Sequence, residues 1–172
     1  MNFLKRFFKR EDVYHPPTRE FLNKKTEENQ LIMKQKVDDY FAYLLTVYNN
    51  YVDDYNKNKA IRELLNKETE IEAYIRNIDN GIRLTGKAME QIKSAPYVYQ
   101  LPKSIQQYLS ASKTQFLLSL EHHLKRDEVI KQLLTNQKNL ALTMDDANAF
   151  LAKSDQHLNS AMHYMDTARE IL

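Results

Sequence analysis

The chain has 172 residues, no cysteine, two glycines and four prolines, with 28% charged and 42% hydrophobic side chains. Without cysteine there is no disulfide framework and no thiolate metal site, and so few turn-forming residues argue against a sheet fold and for long helices. No apolar run approaches the ~18 residues a membrane-spanning helix needs, and a net charge of +2 does not make a general nucleic-acid binder.

That small net charge is unevenly placed. The opening stretch MNFLKRFFKR carries four basic residues and no acid, whereas the remaining 162 residues carry 21 basic and 23 acidic side chains. Residues 1–17 therefore read as a basic amphipathic segment ahead of Pro16-Pro17, and residues 18–172 as a helical body. On a helical wheel Phe3, Leu4, Phe7 and Phe8 gather on one side and Lys5, Arg6, Lys9 and Arg10 on the other. Interfacial helices have this layout, with aromatics at the headgroups and cations against anionic lipid. The same aromatics would also serve to cover an open end of the body. The apolar pair Phe7-Phe8 is too short for the h-region of a signal peptide, so the expected location is cytoplasmic, peripheral to a membrane when docked.

Thr18 suits a helix start, with Glu20 in the first turn. The apolar spacing then predicts a first helix over about 18–56. Its face is rich in tyrosine: Tyr40, Tyr43, Tyr48, Tyr51 and Tyr55, interleaved with Phe41, Leu44, Val47 and Val52, cover an arc of about 200°, wider than the ~100° stripe of a one-sided helix. These tyrosines are expected in the core, at an interface, or around a ligand pocket. Extending the seam Leu44, Tyr48, Tyr51, Tyr55 leads to Asn58 and Arg62, and Asn56-Lys57-Asn58-Lys59 has turn chemistry. A reversal is expected there.

A second helix over about 59–94 carries the heptad series Ile61, Glu68, Ile75, Ile82, Met89 with Leu64, Ile71, Ile78, Thr85, Ile92. The seam runs in phase through Asn80-Gly81 and Gly86, so these are kept helical. Pro96 and Pro102 bracket a break, after which Ser104 and Gln107 form a candidate capping box. One register then continues from Leu109 through Phe116, His123, Ile130, Gln137, Met144, Leu151, Leu158 and Met165 to Leu172. Its companion series after Met144 is small: Ala147, Ser154, Ala161, Ala168. A turn at Lys125–Glu128 competes with one at Thr143, where Asp146 completes a capping box. Unbroken, the stretch would be one helix of nearly 70 residues needing a second chain to cover it. The Thr143 turn is preferred because it gives helices of similar length, about 103–142 and 144–172.

The expected fold is thus all-α: an antiparallel bundle of three to four long helices with coiled-coil-like packing. A di-iron site needs Glu-x-x-His on facing helices. The residues three before His122, His123, His157 and His163 are Ser119, Leu120, Ser154 and Ser160. No metal site, cofactor or catalytic residue is therefore expected. The expected function is non-catalytic: an interaction or accessory protein that docks reversibly on an anionic membrane surface or a protein partner, or self-associates, through Phe3, Leu4, Lys5, Arg6, Phe7, Phe8, Lys9 and Arg10. Nucleic acid is the least favoured partner. The alternative is a small-molecule-binding or sensor bundle with a pocket lined by Tyr40, Tyr43, Tyr48, Tyr51 and Tyr55.

Overall fold

The structure is a computed structural model that describes residues 19–65, 70–135 and 143–172. Four helices follow one another: α1 Arg19–Leu64, α2 Ile71–Lys93, α3 Lys103–Leu134 and α4 Met144–Glu170. Cross-helix bonds give their directions. Tyr43, Tyr51 and Asn58 of α1 meet Gln91, Thr85 and Asn77 of α2, so these two run antiparallel. Ser112 and Ser119 of α3 meet Ala161 and Ser154 of α4, again antiparallel. Tyr48, Tyr51 and Tyr55 meet Ser119, His123 and Asp127, so α1 and α3 run parallel. The result is an up-down-up-down bundle, the simplest way for amphipathic helices with short connections to bury their apolar stripes.

The turn at Thr143 forms as its chemistry predicts. Thr143 caps α4: its hydroxyl accepts from the Asp146 backbone N–H, and the Asp146 carboxylate accepts from the Thr143 N–H at 2.7 Å. Because α4 folds back along α3, no second chain is needed to cover the last stretch. Replacing Thr143 by Ala removes one reciprocal cap, and about 1 kcal/mol of stability is expected to go with it in urea denaturation. The small series also takes its expected place. Ala147, Ser154, Ala161 and Ala168 are all buried, and Ser119 Oγ lies 2.9 Å from Ser154 Oγ. Short side chains there let the two backbones approach closely.

Three boundaries differ from expectation. The reversal falls not at 56–59 but after Leu64, so α1 is longer and α2 starts at Ile71 rather than 59. Ile61 and Leu64 thus belong to α1, and both are exposed, Leu64 at 87%. The register holds on α2 from Ile78 through Thr85 to Ile92, all fully buried, while Glu68 lies outside the described residues. On the outer face of α1, Lys57 pairs with Asp54 and Lys59 with Glu63, contacts that favour continued helix. Second, α3 passes unbroken through Lys125–Glu128, as the preferred turn at Thr143 requires, but ends at Leu134, not 142. Third, the Ser104–Gln107 capping box does not form. The cap position is Pro102, with no side-chain cap bond, which leaves Ser104 inside the first turn. Pro102 suits that place because its ring fixes φ and it has no N–H to satisfy. Gln106 Nε2 instead ties back to the Leu101 carbonyl at 2.7 Å.

The apolar core has two parts. The larger joins Val37, Phe41, Leu44 and Tyr48 of α1 to Ile92, Leu109, Phe116 and Met165. The smaller, at the other end of the bundle, joins Tyr74, Ile78, Val129, Ile130 and Ala147. Buried polar residues lie along both: Ser112 and Ser119 within the larger core's stretch of α3, and Asn58, Arg62 and Asn77 level with Tyr74 and Ile78 of the smaller.

Candidate functional site

The expected docking residues Phe3, Leu4, Lys5, Arg6, Phe7, Phe8, Lys9 and Arg10 lie outside the described residues. The tyrosine face is described, and it is core. Tyr40, Tyr48, Tyr51 and Tyr55 are buried. Tyr43 is half-buried, its hydroxyl donating to the Gln91 carbonyl at 3.0 Å. The five do not converge on one cavity. Instead, three of them form a ladder from α1 to α3. Tyr48 Oη is 3.3 Å from Ser119 Oγ, Tyr51 Oη is 3.1 Å from His123 Nδ1, and Tyr55 Oη is 2.7 Å from both Asp127 carboxylate oxygens. The wide apolar arc predicted for α1 thus reflects a helix that contacts α2, α3 and α4 at once. Each of these three hydroxyls has a partner, as burial requires.

The lowest rung is the most polar. Asp127 is fully buried; Arg62, 5% exposed, approaches it with Nη1 at 3.5 Å. Arg126 Nη1 lies 3.7 Å from the same carboxylate oxygen and donates to Tyr55 Oη at 3.3 Å. Arg62 Nε donates to Asn77 Oδ1 at 3.0 Å. Asn77 and Asn58 bond reciprocally: each side-chain amide donates to the other's backbone carbonyl, at 2.9 and 3.0 Å. Asn80 adds a bond to Asn58 Oδ1 at 2.8 Å. The Arg62 guanidinium also lies 5.9 Å from the centre of the Tyr74 ring. Asn58 and Arg62 therefore sit where the seam of α1 predicts inward-facing residues. The seam does not slip; it turns polar. The break in apolar character at these two positions was the signal for this cluster, and read locally it looks like a turn.

Gly81 makes room for the cluster. A Cβ there would lie 2.8 Å from Asp127 Oδ2, 3.2 Å from Arg62 Nη2 and 3.3 Å from the Tyr55 ring. Burial, and then the adjacent Asp127 carboxylate, push the Tyr55 hydroxyl well above its ordinary range, so it remains a donor. Burial alone pushes Tyr40 up to about 12.

The histidines separate as adjacent helical residues must. His123 faces Tyr51 and Tyr55 of α1. His122 faces α4, stacked on His157 with ring centres 5.1 Å apart and planes 5° from parallel. No group of three or more His, Asp or Glu among the described residues is placed to hold a metal ion. Burial, then the Arg126 charge, lowers the His123 pKa; burial, then His157, lowers that of His122. Both rings take a proton more readily in the unfolded chain than in the folded one. Stability is therefore full above about pH 6.5 and falls as pH drops below it. Urea midpoints at pH values from about 8 to about 5.5 are expected to decline on the acid side, and replacing both histidines by Gln should flatten the decline.

The fold and this cluster define an all-α antiparallel four-helix bundle with a buried arginine–carboxylate centre beside its smaller apolar core. No protein-family profile, no curated protein and no solved structure matches the chain. No helix among the described residues is long and apolar enough to cross a membrane.

Proposed function

We propose that the protein is a non-catalytic interaction or accessory bundle that docks reversibly on an anionic membrane surface through residues 3–10. The carrying observation is the segregation of Phe3, Leu4, Phe7 and Phe8 from Lys5, Arg6, Lys9 and Arg10 in a segment with no acid, ahead of a body close to neutral. Each cation near an anionic surface contributes ~1 kcal/mol, and each large apolar side chain sunk at the interface up to ~1.5–3 kcal/mol. Ordering a helix of so few residues opposes them, so binding is weak for one copy and reversible.

The start of α1 supports the same placement. Residues 23–32 are exposed without interruption, and Val37 is the first buried side chain of α1 among those described. This stretch extends about 15 Å at 1.5 Å per residue and presents Leu31 at 69% and Ile32 at 54% exposure. It adds exposed apolar surface near the start of the described part of α1. Co-sedimentation with vesicles of phosphatidylcholine, with and without phosphatidylglycerol, tests the proposal. The full chain is expected to partition to the anionic vesicles and to leave them as salt rises. A chain lacking residues 1–10 should stay in the supernatant; equal partitioning of the two rejects membrane docking and leaves a protein groove as the surface to seek.

A further inference from the structure

Where α1 and α3 end and α4 begins, the bundle holds a cleft of about 620 Å³, within the size range of small-molecule sites. Arg62 and Arg126 line it together with the apolar side chains of Ile130, Leu133, Leu134 and Met144. Met144 is half exposed in it.

The charges around the cleft do not cancel. Two guanidiniums share one buried carboxylate, Asp127. The other charged lining residues, Lys59 and Glu63, pair with each other at 3.7 Å. Among the described lining residues one positive charge is left over. The hydrogen bonds do not close either: among the described residues Arg62 Nη2, on the Gly81 side of its guanidinium, and Arg126 Nε are buried and have no acceptor. Buried donors in folded proteins are nearly always satisfied, and a charged donor left without a partner is costly. Two incomplete guanidiniums beside an apolar wall point to a ligand with one anionic head and one apolar body.

We propose that this cleft binds a single-chain carboxylic acid, its head group meeting Arg62 and Arg126 and its chain lying along Ile130, Leu133, Leu134 and Met144. A carboxylate supplies the one negative charge the site lacks, and its two oxygens suit the planar fork of a guanidinium. A phosphate would bring more charge than the cluster leaves uncompensated. The site is independent of residues 1–10 and goes beyond membrane docking.

Calorimetric titration of the full chain with decanoate, below its micellar concentration, tests the proposal against decan-1-ol and decyltrimethylammonium. Decanoate is expected to bind at least about tenfold more tightly than either, because only it offers the guanidiniums an acceptor. Arg126→Gln should weaken decanoate by about tenfold or more and leave decan-1-ol unchanged. Should that variant fail to fold, Leu133→Glu, at a half-exposed position of the wall, should weaken decanoate about tenfold or more by placing a charge where its alkyl chain lies. Equal affinity for acid and alcohol would overturn the proposal, as would absence of decanoate binding at millimolar concentration. Decanoate binding untouched by a folded variant would place it elsewhere, such as on the basic leader, and overturn it too.

Discussion

Replacing Asp127 by Ala is expected to lower the unfolding free energy by about 3–5 kcal/mol, because two guanidiniums then share a buried site with no countercharge. The carboxylate is fully buried, and Arg62 beside it is 5% exposed. Arg62 is nearly enclosed, with its side chain 6% exposed, whereas Arg126 at 18% lies closer to water. The variant also takes from Tyr55 the acceptor its hydroxyl meets at 2.7 Å, leaving a buried O–H to find another. For a chain of this size the loss corresponds to a midpoint lower by about 6–20 °C, readable by far-ultraviolet circular dichroism. A cluster worth that much when broken need not be worth much when whole. Taking three charges out of water has its own cost, and apolar replacements of similar shape often match a buried ion pair. The paired variant Arg62→Met, Asp127→Leu is therefore expected to recover most of what Asp127→Ala loses. A loss below ~1 kcal/mol for Asp127→Ala, the range of exposed ion pairs, would mean that water reaches the cluster.

The two glycines of α2 are expected to respond to alanine with opposite signs. In a helix interior Ala is favoured over Gly by about 0.8–1.0 kcal/mol. At Gly86 a Cβ meets nothing within 4 Å, so Gly86→Ala should stabilise by close to that amount. At Gly81 the added carbon comes within 2.8 Å of Asp127 Oδ2, and that oxygen cannot simply swing away. It is held by Tyr55, whose ring lies 3.3 Å from the same point, and Arg62 Nη2 closes the third side at 3.2 Å. Overpacking of this kind costs about 1–3 kcal/mol, enough to outweigh the propensity gain. Gly81→Ala should thus destabilise by ~1–2 kcal/mol net. In an Asp127→Ala background the collision is relieved, so the two effects are expected to be clearly non-additive. Additive behaviour would show that Gly81 does not serve the cluster.

The helical class, the register of α3 and α4 and the turn at Thr143 were legible because each rests on nearby residues. Ala147, Ser154, Ala161 and Ala168, or Thr143 and Asp146, are recognised by spacing alone. Passage of α2 through Gly81 and Gly86 was legible for the same reason, since the seam on either side kept its phase. The end of α1 was misjudged at Asn58 and Arg62 because a polar residue on an apolar seam has two meanings. It marks a turn when it has only water to bond, and a buried centre when a partner waits across the core. The tyrosines posed the same ambiguity: their spacing placed them on one face, and only the neighbours across that face decided between core and pocket.

What the chain determines by itself is periodicity: greasy positions three and four apart, small residues at the close approach of α3 and α4, and a leader whose charge is unlike the rest. Only the tertiary structure decided which polar side chains lie inside. The cost of burying Arg62 and Asp127 is offset by partners that stand 15 and 65 positions away from Arg62 in the chain. Such partners reach bonding distance only after α1, α2 and α3 have packed, so no local pattern records them.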